Sequence, residues 1–467
     1  MTQWGQVRIS LLALALAVPV ATNAAQSGPD GDLRVYTDAP RLFLTPARLR
    51  LLQRERDRKS PRWEQFDLLI TGGAKMPEPG FAGALYYRIS RDAGVGRRAV
   101  EWALTDASED LRQLALVFDW CGPVMTPAQA DRLGAKIERA LAEPPPGRGS
   151  NPGGEIARMS TRVLAAIAIA DRFQDHGEAL LKPMIEEWRD VAKRAEAGDP
   201  AIPRTDVYAL FEMLHAIRDN LKSDLRENAR AYFRELPMDH LASHYPASFR
   251  APENDYRVPV FIRDGDPDAT EAALSRAAEL AMVAFDSNDG GNQYLQGWLM
   301  QDRFTMRGAL GAPYEFLWAN PYQPGLSYAQ SPLVYHNPVN GHLFARASWD
   351  EDAAWVGYFD GHLQLFRDGR IVVLRSGAML DAVRVGDASI LSVANSDAAK
   401  FHVVAGQTFV LGLARQAAYD VEIDDEELAE AETDNGGTLV LALPEGADAG
   451  VRVRKRQLEP GGRSLVQ

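Results

Sequence analysis

The sequence predicts a multidomain α+β protein, a helical N-terminal part followed by an antiparallel β-sandwich domain. Three observations carry this. Apolar residues recur at three- and four-residue spacing through most of residues 41–323. After Pro324 the pattern changes to short strand-like runs separated by turn text. The chain has 467 residues, 46% hydrophobic and 25% charged, enough for two or three domains with full cores.

Residues 1–24 have the form of a secretory signal. Arg8 supplies the charge, residues 9–20 an apolar run, and Thr22-Asn23-Ala24 a small-residue cleavage site. The run is too short for an ordinary membrane span, so the expectation is a periplasmic or secreted protein with no span in the mature chain. Residues 25–40 are rich in Gly, Pro and Asp and are expected to be loose. The helical domain then occupies residues 41–323. Thr45 as N-cap with Pro46 at the first helical position marks a helix start, and Thr126-Pro127 repeats the signal. Helices are expected near 61–70, 80–92, 95–105, 108–120, 126–142, 154–174, 177–196, 205–219, 221–235, 267–286 and 292–307. A series of helices joined by short breaks stacks as antiparallel pairs, either closed into a toroid or left as an open array.

Residues 240–263 interrupt this pattern. They hold two His, two Tyr, three Arg, an Asn and two acids, broken by Pro246, Pro252 and Pro259. Proline excludes a continuous helix, so the stretch is expected to be a polar loop between helices, a common place for binding and catalytic groups. An ordinary solvated loop is the competing reading.

The all-β sandwich domain is expected over 324–467, with strands near 333–336, 342–346, 354–359, 363–366, 371–374, 401–404, 408–413, 419–423, 438–443 and 451–453. Asn340-Gly341, Asp368-Gly369 and Asn435-Gly436-Gly437 are turns, and Asp368-Gly369 is a hairpin signal. The acidic run beginning at Asp424 lacks the spacing of a calcium loop and is expected to be a solvated turn.

Lys and Arg number 51 against 64 Asp and Glu, a net charge of −13. That argues against nucleic-acid binding, which needs a basic face, but an arginine cluster can still hold an anionic substrate locally. The single cysteine, Cys121, sits in an apolar helical run and is expected to be a buried thiol.

Local runs add a family resemblance. Arg41-Leu-Phe-Leu-Thr-Pro, Phe118-Asp119-Trp120 with the turn after it, and the pair Phe344-Ala-Arg-Ala-Ser-Trp349 and Trp355-Val-Gly-Tyr358 resemble segments of the heparinase II/III-like and alginate-lyase-like polysaccharide lyases. The resemblance covers most of residues 40–455 in layout. It implies an (α/α) toroid of helical hairpins packed on a β-sandwich, a cleft for an acidic polysaccharide or oligosaccharide, and lyase chemistry without a cofactor. The chain departs from that pattern in having no His between Asn151 and Glu155, and only Asp360-Gly361-His362 where the family has a longer His-rich segment. No metal site is therefore expected, and a noncatalytic glycan-binding or structural relative is the alternative.

Uronate β-elimination needs the substrate carboxylate neutralised, a base to take the adjacent proton and an acid for the leaving oxygen. Tyr256 is the preferred acid/base and His244 its partner, with Tyr245 competing. In an extended segment His244 and Tyr245 would face opposite ways. Asn151, Glu155 and Asn254 are candidates for meeting the carboxylate, although Asn151 and Glu155 also fit a helix start. Arg250, Arg257, Arg303 and Arg307 could grip an anionic sugar, the last two from one helix face, and Trp298 could stack on a ring. His336 and His362 are further candidates from the β-domain. Glu253 and Asp255 would suit a hydrolase.

Overall fold

The chain caps its own helices. The Thr45 side chain accepts from the Arg48 amide, with Pro46 next in line, and starts α1 (Pro46–Asp57). The same device opens α6 (Pro127–Ala142), where Thr126 and Gln129 form a reciprocal capping box. Both starts fall where the sequence signals them. The structure, a computed structural model, describes residues 33–143, 154–251, 255–263, 265–374, 377, 382–394, 396–424 and 427–456. The expected signal, Asn151, Glu253 and Asn254 lie outside these residues.

The remaining helices are α2 (Pro61–Thr71), α3 (Pro79–Ser90), α4 (Ala93–Ala103), α5 (Leu111–Trp120), α7 (Glu155–Ala168), α8 (Glu178–Glu196), α9 (Val207–Leu221), α10 (Arg230–Ala242), α11 (Ala269–Phe285), α12 (Gly290–Leu299) and α13 (Gly308–Trp318). Odd-numbered helices pack in series: α3 on α5, α5 on α7, α7 on α9, α9 on α11, and α11 on α13. α13 returns to α2 and α3. The return is tied by a buried carboxylate. Glu315 of α13 meets Arg62 of α2 at 3.1 Å and Arg276 of α11 at 2.9 Å, and accepts from the Met306 amide. A buried charge needs this degree of pairing. The resemblance runs also have structural work. Asp119 accepts from the amides of Arg41 and Leu42, Trp120 donates to the Leu42 carbonyl, and Cys121 is buried with its thiol pushed up to about 12. Among the described residues no helix is long and apolar enough to cross a membrane.

Two expectations for the helical part are corrected. Residues 240–263 are not a loop. His240 lies in α10, and the chain then forms a hairpin of β1 (His244–Arg250) and β2 (Asp255–Pro259). Pro246 and Pro259 are tolerated because the sheet has only two strands and the register shifts between His244 and Ser248, around Pro246; Pro252 lies outside the described residues. Nor do Arg303 and Arg307 share a helix face. α12 ends at Leu299, Arg303 lies in a 3₁₀ turn, and Arg307 is the N-cap of α13, where Gly308 at φ 73° redirects the chain.

The C-terminal part holds two sheets. The first is ordered β3-β4-β5-β6-β7: β3 (Val334–Asn337), β4 (His342–Arg346), β5 (Trp355–Phe359), β6 (His362–Arg367) and β7 (Arg370–Leu374). The second is ordered β12-β11-β13-β10-β9-β8: β8 (Val383–Val385), β9 (Ala388–Ser392), β10 (Ala398–Leu411), β11 (Ala418–Ile423), β12 (Glu427–Glu432) and β13 (Leu439–Lys455). Strand alternation assigns the faces. Leu343, Ala345, Val356 and Leu363 meet Val385, Ile390, Phe409 and Leu411 of the second sheet. Phe344, Trp355, Phe359 and Phe366 join the helical core on the other side. The first sheet is thus covered on both faces over β4, β5 and β6, while its edge strand β7 is exposed. The expected purely antiparallel arrangement is corrected at one place, since β9 pairs with β10 in parallel.

Candidate functional site

Aromatic packing fixes how the helical part meets the first sheet. Gly357 leaves room for the Trp355 ring, because a Cβ there would stand 2.2 Å from it. Trp355 Nε1 and Arg346 then both donate to the Ala242 carbonyl at the end of α10, and Arg346 also to the His244 carbonyl. Beside this contact lies a cleft of about 600 Å³ between α10, the start of α9 and the β5–β6 turn. Tyr232, His240, Arg204, Arg263, His342, Asp360 and Arg415 are among the side chains lining it.

A buried network stands behind one wall. Glu279 of α11 is fully buried, and its Oε1 lies 3.0 Å from Arg204, 3.3 Å from His244 Nε2 and 3.5 Å from His240 Nδ1. Arg204 also donates to the hydroxyls of Ser275 and Ser243. Burial pushes the Glu279 carboxyl up, but the two histidines and Arg204 outweigh it and hold it down to about 2. His244 Nδ1 donates to the His240 carbonyl at 2.7 Å, so its Nε2 faces the carboxylate. Burial, with Arg204 and His240 adding to it, drives His244 down to about 3 against the pull of Glu279, whereas both ring nitrogens face acceptors, the arrangement of an imidazolium. The proton between Nε2 and Glu279 belongs to the pair and not to either residue. Burial and Arg204 push His240 down, toward the neutral imidazole. Its Nδ1 at 3.5 Å makes an electrostatic contact with Glu279 and not a hydrogen bond. With Nδ1–H facing the carboxylate, Nε2 is the nitrogen that carries the lone pair.

A second charged set adjoins the first. Asp239 of α10 accepts from His342 Nδ1 at 3.0 Å, Asn337 at 2.8 Å and Asn340 at 3.2 Å. His342 Nε2 lies 3.4 Å from Asp360, in the β5–β6 turn. Burial would lower His342, but Asp239 and Asp360 outweigh it and raise it to about 10. Burial would raise Asp239, but the imidazolium and its hydrogen bonds hold it well below the usual carboxylate range. Arg263 is paired with Glu271 at 3.3 Å. Arg415, exposed in the β10–β11 connection, forms no ion pair among the described residues. Burial pushes the Tyr232 phenol well up, with Asp239 adding to the effect.

The residues singled out in the sequence lie largely elsewhere. His244 and Tyr245 do face opposite ways, as an extended segment requires. His244 stacks on Trp298 with ring centroids 4.4 Å apart, and Trp298 is 5% exposed, a packing position. Tyr245 donates to Gln364 at 2.6 Å and accepts from the Phe261 amide; burial pushes its phenol up to about 12. Tyr256 is 6% exposed in the helical core. None of His244, Tyr245 and Tyr256 lines this cleft. Arg257 donates to the Pro246 carbonyl and lies 4.3 Å over the Phe304 ring. Arg303 bridges Asp255 and Glu351, Arg250 projects into solvent 3.8 Å from Asp255, and Arg307 is exposed. Glu155 opens α7 and pairs with Arg194. His336 is bound to Asp434 at 2.6 Å. Sequence reasoning passed over Arg204, Asp239, Glu279 and His342, and counted His240 in the 240–263 stretch without giving it a role. The one signal was Glu279 itself, an acid within the Ala-rich run of α11.

No family model matches the chain, and no curated protein matches it. Among solved structures it is similar to the heparan sulfate lyase HepC from Pedobacter heparinus, at 11% identity and a TM-score of 0.39, over 81% of this chain and 75% of that one. It is also similar to a glycoside hydrolase, at 8% identity and a TM-score of 0.31, over 81% and 71%. A third is Ara127N-Se, a GH127 β-L-arabinofuranosidase from Geobacillus Stearothermophilus T6, at 11% identity and a TM-score of 0.25, over 88% and 70%. Likenesses this distant leave the functional reading to the cleft's own residues.

Proposed function

We propose that this chain is an exported protein that cleaves a uronate-bearing acidic polysaccharide by β-elimination in this cleft, with the helical hairpins forming an (α/α) toroid against the β-sandwich domain. One observation carries the reading. A neutral imidazole (His240), a phenol (Tyr232) and an unpaired guanidinium (Arg415) line one space of about 600 Å³. Arg415 meets the substrate carboxylate and makes the neighbouring carbon-bound proton acidic. His240 Nε2 takes that proton. The C–O bond to the leaving sugar breaks as the ring double bond forms, and Tyr232 protonates the departing oxygen. Glu279 and His244 orient His240 from behind.

The test is absorbance near ~230 nm, where an unsaturated uronate absorbs, during incubation with heparan sulfate, chondroitin, hyaluronan, alginate and polygalacturonate. A rise with one of them is expected, and Tyr232→Phe and His240→Gln should each slow it by about 10²-fold or more. Tyr256→Phe run alongside separates this set from the hairpin tyrosine. Unchanged rates in both cleft variants would sink the assignment. A second reading, a glycan-binding protein without turnover, is favoured by the cleft's other cations: Arg204, Arg263 and His342 already hold carboxylates. A flat trace from folded protein that still binds a glycan of the panel would select it.

A further inference from the structure

A second pocket, of about 560 Å³, lies at the other end of α9. The cleft described above borders the N-terminal ends of α9 and α11, at Val207 and Glu271. This pocket borders their C-terminal ends, at Arg218 and Ala284, and the C-terminal end of α13 at Trp318. From Val207 to Arg218 is ~16 Å along the helix axis. α1 forms the remaining wall, with Ala47, Arg50, Leu51 and Arg54 spaced to share one helix face.

Four guanidinium groups converge here, from Arg48, Arg50, Arg54 and Arg218, and Asp219 is the single carboxylate among the lining residues. Two of the four are committed to the fold. Arg48 donates to the Leu317 and Trp318 carbonyls at 3.3 and 2.9 Å and lies 5.3 Å over the Trp318 ring. Arg218 donates to the Phe285 carbonyl at 2.7 Å and pairs with Asp219 at 2.9 Å. These contacts satisfy the last carbonyls of two helices. They also fix His215 as neutral. Its Nε2–H donates to the Ala281 carbonyl and its Nδ1 accepts from Arg218, so it adds no charge. Arg50 and Arg54 are exposed and form no ion pair among the described residues; Arg54 stacks 3.9 Å from the Tyr322 ring centre. In a chain of net charge −13, three of the four cations at this concavity form no ion pair among the described residues. In the cleft, by contrast, the arginines other than Arg415 are paired.

We infer that this pocket is an anion-binding site, separate from the cleft, for a small oxyanion carrying carboxylate, sulfate or phosphate groups. Arg50 and Arg54 bind it, over a floor set by Arg48 and Arg218. Guanidinium donors on two adjacent helical turns suit the paired oxygens shared by all three groups. The inference does not depend on the chemistry proposed for the cleft.

Isothermal titration of the full chain at low salt tests it, with inorganic sulfate, inorganic phosphate and glucuronate as probes and glucose as the neutral control. At least one anion is expected to bind with a Kd below ~1 mM and to weaken as salt rises, whereas glucose gives no heat. Which anion binds tightest tells a sugar acid from an inorganic source. Arg50→Ala with Arg54→Ala should weaken binding ~10-fold or more, and Arg50→Glu alone should do the same by reversing the charge. Both positions are exposed, so folding is not at risk. Arg98→Ala, an exposed arginine of α4 outside both pockets, should leave the titration unchanged. Absence of heat with every anion up to ~10 mM, equal heat with glucose, equal affinity for every anion in the Arg50/Arg54 variant, or an equal loss in Arg98→Ala would each overturn the site.

Discussion

His342 is held on both ring nitrogens, by Asp239 from the helical part and Asp360 from its own sheet. Its folded pKa is raised from 6.5 to about 10, so the folded state binds the proton more tightly than the unfolded chain. The stability this contributes is therefore fully present below about pH 6.5 and is lost as pH rises through about 10. We expect unfolding free energy, from urea titration, to fall by ~2–4 kcal/mol more in the wild type than in His342→Gln between pH 6 and pH 10. Parallel pH curves for the two proteins would show that the pair does not hold its proton. This residue was not legible in the sequence for a simple reason. Asp239 lies 103 positions away, and only the fold brings the two together. The same holds for Glu279 and its arginine and histidines. Conversely, the dense polar text of residues 240–263 stands out because its groups are adjacent in sequence, yet Tyr245 and His244 are spent inside the fold, on Gln364 and on the Trp298 ring.

Elements were legible where local chemistry decides them. Thr45-Pro46 and Thr126-Pro127 start helices, and Asp368-Gly369, with φ of 51° and 72°, turns β6 into β7 as its residue types require. They were illegible where tertiary packing overrides local preference. α13 carries Pro313 and two other glycine-spaced turns of text, and it is helical because Glu315 is locked between two arginines. β10 and β13 each read as two short strands, because the register shift between Val404 and Gly406 interrupts the alternation of one continuous ladder. At this scale Gly357 is the position to test. An alanine methyl there would stand 2.2 Å from the Trp355 ring and 3.1 Å from Phe344, both inside the contact between sheet and helices. Gly357→Ala should cost ~1–3 kcal/mol through overpacking. Gly290→Ala, with nothing within 4 Å of the added methyl, should change stability by less than ~0.5 kcal/mol. Equal thermal shifts in the two variants would contradict this packing.

Across the whole molecule the first sheet serves as a middle layer. One face builds a core with the second sheet, and the other gives Phe344, Trp355, Phe359 and Phe366 to the helical core. Polar ties cross the same boundary: Tyr245 to Gln364, Asn337 and His342 to Asp239, Arg346 to the end of α10, and Tyr335 to the Glu235 carbonyl. The expected boundary near residue 324 is thus a change of secondary structure crossed by a continuous core. A boundary of that kind couples the unfolding of the two sides, because exposing one face of the sheet costs the burial of four aromatic rings, each worth roughly 1.5–3 kcal/mol. We therefore expect one cooperative transition in urea, with far-ultraviolet dichroism and tryptophan fluorescence coinciding. A fragment of residues 324–467 should expose that aromatic face and bind a hydrophobic dye such as ANS strongly, or self-associate. Two separate transitions in the full chain, or a monomeric fragment that unfolds cooperatively and leaves the dye dark, would show that the two parts are stable apart and that the cleft between them can open without unfolding either.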